Sequence, residues 1–309
     1  MGAHFVIFGI VGIGSMGRNH VRVLSEIKKV NEVLIYDKNK RNAERIASKF
    51  DTQTIKSVKE LIKKSEAISI CVPTSLHYKY AKKCIEAEKH TFIEKPVASN
   101  LDEGRKIQEM LKNKKIVFGV GHIERFNPII PEIIKLNLKI EYGDIKRHNP
   151  TSSRISDSSV VEDLMIHDID IVFNVLFPEK KYKLYSSGNE NVVQSLIDFG
   201  DATISLSASR ISSKKIRKIY LENSEITIEG DFMNQELYLY KKPSTYQLTD
   251  ERYVQENIIE KVLINKVEPL KVELTKFVEC IDKDQEFPVR IDEAVKNLEI
   301  CEIIKSQIS

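Results

Sequence analysis

No stretch of the 309-residue sequence offers the roughly 18 consecutive apolar residues that a membrane-spanning helix requires. The N-terminus lacks a basic region, an apolar segment and a cleavage site in that order, so no secretory leader is expected. Phe5 to Gly14 is apolar but ends in glycines, which reads as a buried strand. An excess of one charge is also missing. Lysine and arginine number 48 against 45 acidic residues, a formal net charge of +3, and the run from Lys38 to Arg41 reads as a solvated loop. That balance gives no case for nucleic acid or an anionic membrane as partner. Cysteine is scarce, with Cys71, Cys84, Cys280 and Cys301 its only occurrences. None forms a Cys-x-x-Cys pair or a Cys/His cluster of metal-ligand spacing, so no metal site is expected and the thiols read as free in a reducing compartment. Internal repeats and low-complexity segments are absent as well. The expectation is a soluble, cytoplasmic protein, long enough at ~150 residues per domain for about two domains.

The first 120 residues alternate short apolar runs with amphipathic stretches. Strands are expected at 5–11, 32–36, 67–72, 91–93 and 116–120, and helices at 16–28, 41–50, 76–88 and 101–113. Such alternation predicts a parallel sheet with crossover helices, and the unbroken apolar runs suit strands buried on both faces. Beyond about residue 121 the pattern changes. A helix is expected over 160–177. Alternating segments follow at 193–199, 202–208, 216–221, 226–229 and 237–240, with Gly200 and Asp201 as a hairpin turn. Helices over 269–280 and 292–305 close the chain. The expected architecture is therefore an α/β Rossmann domain, a doubly wound parallel sheet, over 1–121. It is followed by an α+β domain over 122–309 with a large open, mostly antiparallel sheet, and the last helices could pack back on the first domain.

Between the first strand and the first helix, Gly12, Gly14 and Gly17 stand in the G-x-G-x-x-G order with Ser15 and Met16 between the last two. Asp37 follows 20 residues after Gly17, at the end of the second strand. In that context the pattern is a dinucleotide fingerprint. Gly12 permits the tight turn, Gly14 lets the backbone approach a pyrophosphate, and Gly17 lets the helix pack on the strand. The helix N-terminus offers N–H groups and partial positive charge to phosphates. Asp37 would accept hydrogen bonds from the adenosine ribose and repel a 2′-phosphate, favouring NAD over NADP, although Lys38 or Arg41 could turn inward to meet such a phosphate.

Two further features point to chemistry. Along 160–177, helical spacing puts Asp163, His167, Asp170 and Asn174 on one stripe of a helix whose other positions past Asp163 are mostly apolar, with Asp168 the exception. Buried charges cost several kcal/mol unless paired or wet, so the stripe is either a site facing a cleft or the solvated face of an ordinary helix. Asp163 and His167, four apart, can hydrogen-bond and fix the ring's tautomer, as a general base requires. The second feature is Glu94, Lys95 and Pro96, which end a parallel strand, where ligands of such sheets bind. Pro96 restricts Lys95 to extended backbone. Pro73, Thr74 and His77 end the preceding strand in a similar loop.

Taken together, the segment from Gly12 to His20, the Glu94-Lys95-Pro96 triplet and the Asp163, His167, Asp170 spacing resemble the glucose–fructose oxidoreductase/inositol dehydrogenase/MocA (Gfo/Idh/MocA) family. The resemblance covers nearly the whole chain. It implies an NAD-dependent oxidation of a secondary alcohol, with Lys95 and His167 bordering the nicotinamide and the reacting carbon and with Asp163 and Asp170 in support. It also implies a homodimer or homotetramer built on the open sheet. Gly121 to Pro128, including Arg125 and Asn127, the run from Ile166 to Asp170 and Glu268 to Leu274 are similar to a narrower group of the family. That group oxidises the 3-hydroxyl of UDP-N-acetylglucosamine, and a partner transaminase then aminates the product. One departure is that Ser158, Ser159, Val160 and Val161 stand where the family often has a glycine pair before the helix.

On that resemblance Arg125 and Arg154 are candidates for the substrate diphosphate, because the planar guanidinium suits phosphate oxygens. Surface salt bridges are the plain alternative for both. Histidine starts at a pKa of ~6.5 and lysine at ~10.4, so His167 is the expected base and Lys95 the group that holds the substrate oxygen, with the reverse assignment open. Other readings are a dehydrogenase of free sugars or inositol, a glycoside hydrolase that uses NAD transiently, and a cofactor-sensing protein without turnover.

Overall fold

Apolar runs alternating with amphipathic stretches build the first unit of the protein, as seen in a computed structural model that describes residues 5–150, 158–242, 246–249, 252–255 and 258–309. This unit comprises Met1–Phe126 and Glu268–Glu299. The chain thus returns to this unit near its end. The elements run β1 (Val6–Val11), α1 (Ser15–Glu26), β2 (Val30–Tyr36), α2 (Lys40–Phe50), β3 (Gln53–Thr54), α3 (Val58–Lys64), β4 (Ala67–Ile70), α4 (His77–Glu86), β5 (His90–Glu94), α5 (Leu101–Leu111) and β6 (Phe118–Gly121). The six strands pair in the order β3-β2-β1-β4-β5-β6, all parallel. The order reverses direction at β1/β4, the switch point at which open α/β sheets bind ligands.

The short β3 and α3 are absent from the sequence reading. Two residues of strand and seven of helix carry too little periodicity to register, although Ser57 caps α3 by accepting from the Glu60 N–H (3.2 Å). Aromatic residues lock the returning segment to the sheet. Phe277 and Phe287 meet Phe92 edge to face with centroids 5.3 and 5.9 Å apart, and all three are essentially buried. Such pairs contribute ~0.5–1.5 kcal/mol beyond area burial.

The second unit comprises Asn127–Val267 and Ile300–Ser309. It opens with α6 (Ile129–Lys135) and β7 (Tyr142–His148). A continuous helical segment from Val161 to Leu176 follows. Its middle, α7 (Ile166–Asp170), is α-helical, and wider π-type turns flank it at Val161–Met165 and Ile171–Leu176. Next come β8 (Lys183–Asn189), β9 (Val192–Asp198), β10 (Thr203–Ser209), β11 (Ile216–Glu222), β12 (Ile226–Asp231), β13 (Glu236–Lys241), β14 (Tyr246–Thr249), β15 (Arg252–Gln255) and β16 (Ile258–Lys261). Two helices, α8 (Pro269–Lys283) and α9 (Ile291–Gln307), end the chain, and α9 continues from the first unit into the second.

Eight strands form one sheet in the order β16-β13-β12-β11-β7-β10-β9-β8, while β14 and β15 pair separately. All its pairings are antiparallel except β7 with β10. The expected turn at Gly200 joins β9 to β10, with the glycine at φ +87°. Alternating burial along β7 and β9 turns one sheet face to the core that holds the helical segment, as period-2 alternation requires. β7 and β8 escape the sequence reading because each buries few large apolar side chains, Ile145 in β7 and Leu184 in β8, too few to show an alternating pattern.

Candidate active site

In the first unit the glycine loop has the geometry each glycine predicts. Gly12 sits at φ +90°, and a Cβ there would lie 2.8 Å from the Cys71 carbonyl oxygen. A Cβ on Gly17 would lie 1.9 Å from the Gly12 carbonyl oxygen, so only glycine lets α1 close on the loop. Gly14 differs, because a Cβ there would meet nothing within 4 Å. Gly14, Ser15 and Met16 are exposed. No side chain caps the N-terminus of α1, and no acidic residue lies in its first turn. Uncapped N–H groups facing open space at a helix start are what a pyrophosphate needs.

Asp37 ends β2 beside this loop. Its Oδ2 accepts the Ile13 N–H (2.6 Å) and its Oδ1 the Asn39 N–H (2.7 Å). Each oxygen retains a lone pair for a ribose hydroxyl. Asn42 reinforces the arrangement by donating to the Ile13 carbonyl (2.8 Å). Lys38 and Arg41 are exposed.

The loops after β4 and β5 are joined from below by His77, which is 1% exposed. One ring nitrogen lies 2.7 Å from the Pro96 carbonyl and the other 2.9 Å from that of Val72. Burial pushes its pKa down, so the ring is neutral and donates to one carbonyl at a time. His77 thereby acts by shaping the loops that carry Pro73, Thr74 and Lys95. Pro73 is exposed, Thr74 and Lys95 are half-buried, and the Lys95–Pro96 peptide is cis.

Glu94 is likewise engaged within the protein. Its Oε1 lies 2.7 Å from the His20 Nε2, and the His20 Nδ1 lies 2.8 Å from the Ser69 hydroxyl. His20 is fully buried. Burial lowers its pKa, but the Cys71 sulfur and the Glu94 carboxylate together raise it well above 6.5. Burial would raise the Glu94 pKa, yet His20 and Lys95 hold it below its ordinary value. The two directions agree on an ion pair that ties α1 to the end of β5.

Residues at Gly121–Pro128 turn inward too. Arg125 donates to Glu293 (2.9 Å) and to the Pro288 carbonyl (3.3 Å), with its side chain 10% exposed. In the second unit Asn127 is 2% exposed and donates to the Phe232 carbonyl (2.9 Å). Both act here as internal braces. Arg154 lies outside the described residues.

The second unit carries the polar stripe. Asp163, His167 and Asn174 are half-buried on a helical segment whose other positions are mostly buried. Asp170 is 1% exposed and accepts from the Asn174 amide (3.1 Å). Asp168, left unexplained by the sequence, meets Arg147 of β7, and both are buried to 1%. The Arg147 Nε lies 3.0 Å from each Asp168 oxygen and Nη2 2.7 Å from Oδ1. The guanidinium also stands over the Phe232 ring at 5.4 Å. Arg147 and Arg210 are the functional candidates that sequence reasoning missed, since their partners lie 21 and 47 residues away in the chain.

A concavity of about 460 Å³ in the first unit, lined by Lys114, Phe118, Phe287 and Arg290, opens at the start of β6. That is the sheet end opposite the glycine loop, so it is not the dinucleotide site. Among the described residues, no group of three or more His, Cys, Asp or Glu could hold a metal ion, and no helix is long and apolar enough to cross a membrane.

Comparison with known proteins adds to this geometry. Residues 6–122 match the Gfo/Idh/MocA model, described as an oxidoreductase family with an NAD-binding Rossmann fold. The UDP-N-acetylglucosamine 3-dehydrogenase of Acidithiobacillus ferrooxidans is 26% identical over 242 residues, 76% of each chain. A solved structure of that enzyme superposes with a TM-score of 0.88 at 22% identity, covering 98% of this chain and 97% of the other. The inositol 2-dehydrogenase of Rhizobium meliloti is 23% identical over 91% of this chain and 90% of its own. A levoglucosan dehydrogenase solved with NADH and levoglucosan has the same fold, with a TM-score of 0.83 at 17% identity over 98% of this chain and 96% of the other.

Proposed function

The chain is an NAD-binding oxidoreductase of the Gfo/Idh/MocA family, and from that premise we propose that it oxidises the 3-hydroxyl of UDP-N-acetylglucosamine to the 3-keto sugar nucleotide. The observation that carries the substrate is the similarity to the dehydrogenase named for that reaction over 76% of both chains. The dinucleotide rests on the open approach at Gly14, the uncapped start of α1 and the Asp37 carboxylate held beside them.

NAD, held by the Gly12–Gly17 loop, the start of α1 and Asp37, would supply the acceptor for the hydride of the substrate carbon. The remaining work falls to the protein. His167 takes the hydroxyl proton on an imidazole nitrogen, the role of a general base. Lys95 donates a hydrogen bond to the same substrate oxygen and stabilises its developing negative charge. Asp163 orients His167, and Asp170, buried and held by Asn174, supports the same helix. Arg154 and Arg125 are the candidates for the diphosphate, Arg125 at the cost of its contacts to Glu293 and Pro288. The balance is one hydride to the cofactor and one proton to His167, then to solvent. The product ketone suits a following amination, and assembly through the open sheet into a dimer or tetramer in the cytoplasm belongs to the same proposal.

The test is NADH formation with UDP-N-acetylglucosamine, free glucose and myo-inositol, each with a carbonyl trap to pull the oxidation forward. Turnover of the nucleotide sugar is the expected result. Turnover of free inositol or glucose, with none of the nucleotide sugar under trapping, would replace this substrate with a polyol. Release of a free sugar without net NADH would mark a hydrolase instead.

A further inference from the structure

Ser158 and Ser159 precede the polar-striped helix, and the structure reveals what grips them. Arg210 follows β10 directly, and its side chain is 8% exposed. Its Nη2 donates to the Ser159 carbonyl (3.0 Å) and lies 3.5 Å from the Ser158 hydroxyl. The same nitrogen stands 3.4 Å from Oδ2 of Asp163, whose side chain is 18% exposed. The Ser159 carbonyl also accepts the Asp163 N–H (3.0 Å). One oxygen thus draws the guanidinium and the Asp163 backbone together, which sets the carboxylate against the cation. The backbone N–H of Arg210 is itself fixed to the Asn191 carbonyl (2.8 Å).

We propose that Arg210 is a positioning residue for Asp163 and, through Asp163, for His167. The inference rests on the reading of His167 as the base. Its physical content is geometric. The wide turn at Val161–Met165 departs from the α-helical repeat, so helix spacing alone does not fix where Asp163 points. A permanently charged, planar fork anchored on a strand end supplies that direction, because it can hold a carbonyl and a carboxylate at once. Glu162 holds the other side of the same turn. Its carboxylate accepts the Ser159 N–H (3.3 Å), and it is ion-paired to Lys305.

The experiment is a double-mutant cycle of Arg210→Met with Asp163→Asn. Turnover is read on UDP-N-acetylglucosamine and NAD, or on the polyol if the substrate panel selects it. Arg210→Met should lower kcat about tenfold to a hundredfold, the scale of a misplaced catalytic group, with KM and NAD affinity within about twofold. In the Asp163→Asn background the same change should cost nothing further. Arg210→Lys, which keeps the charge but not the fork, should recover part of kcat. It also replaces Arg210→Met in the cycle if that variant does not fold. Additive losses, an unchanged kcat, or a raised KM at unchanged kcat would overturn the proposal, the last by making Arg210 a substrate-anion contact. Full activity of Asp163→Asn alone would instead bring down the reading of the helix as catalytic, and this inference with it.

Discussion

Arg147 of β7 and Asp168 of α7 form a two-pronged ion pair in which both residues are 1% exposed. Burying such a pair gains little net stability, because desolvation offsets the attraction, but stranding one partner is costly. Asp168 is the neighbour of His167, so the pair also fixes the rotation of α7 about its axis. Arg147→Met and Asp168→Leu should each destabilise the protein by about 3–5 kcal/mol, while the double variant regains most of that loss. Urea unfolding of the four proteins checks this. If the double variant is stable but slow in turnover, the pair serves orientation rather than folding.

Lys95 and His167 carry the proposed chemistry without contributing to the glycine loop. Lys95→Ala and His167→Ala should therefore leave NAD affinity nearly intact and lower turnover by at least ~100-fold, a usual scale for lost acid–base help. Fluorescence titration with NADH, beside initial rates, separates the two effects. An unimpaired variant would remove its residue from the mechanism.

The His20–Glu94 pair predicts a pH-dependent stability. The His20 pKa is raised in the folded protein, so its contribution is complete below 6.5 and fades as pH rises through the folded value. The Glu94 pKa is lowered, so its contribution is complete above 4.5 and fades as pH falls through its folded value. Both act fully only between those limits. The Tm gap between the native protein and His20→Gln should be widest near pH 5.5 and narrow steadily toward pH 9 (pH values chosen as roughly mid-window and well above it). A gap that widens with rising pH would mean His20 is held neutral.

What the sequence made legible follows from how local each signal is. The glycine fingerprint, Asp37 and the flanking elements are consecutive, and backbone sterics at Gly12 and Gly17 leave one reading. The half-buried stripe at Asp163, His167 and Asn174 was legible from helical spacing. The π-type turns were not, because apolar residues fit either turn width. Partnerships across the chain were invisible: Asp168 looked like a stray polar residue until β7 brought Arg147 beside it. His77 and Asn127 sit in segments that suggest ligand contact, yet their polar atoms serve backbone carbonyls. Only the folded loops reveal that.

Cofactor choice turns on Asp37. Its carboxylate is fixed by two backbone N–H groups and cannot swing away from a 2′-phosphate without breaking both. NAD should bind more tightly than NADP, and Asp37→Ser should narrow the difference by relieving the repulsion. Tighter NADP binding by the native protein would give the decision to Lys38 or Arg41.

Gly14 and Gly17 separate binding from folding within a single loop. Both are three-residue neighbours in the fingerprint, yet an added methyl meets very different surroundings. At Gly17 it would lie 1.9 Å from the Gly12 carbonyl oxygen, a backbone atom that cannot yield without pulling α1 away from β1. At Gly14 it would meet nothing within 4 Å, and the backbone there has a negative φ, −73°, outside the left-handed region. Gly17→Ala should therefore lower Tm clearly, by the several degrees that ~1–3 kcal/mol of overpacking produces. Gly14→Ala should leave Tm unchanged in the absence of cofactor. If the space over Gly14 is where the pyrophosphate approaches, that same methyl should weaken NADH binding by about tenfold or more, since it excludes the backbone contact that glycine permits. Thermal melts with and without NADH, beside a fluorescence titration, give both readouts. A Gly14→Ala protein that binds NADH as well as the native one would place the pyrophosphate elsewhere on α1, whatever its effect on Tm.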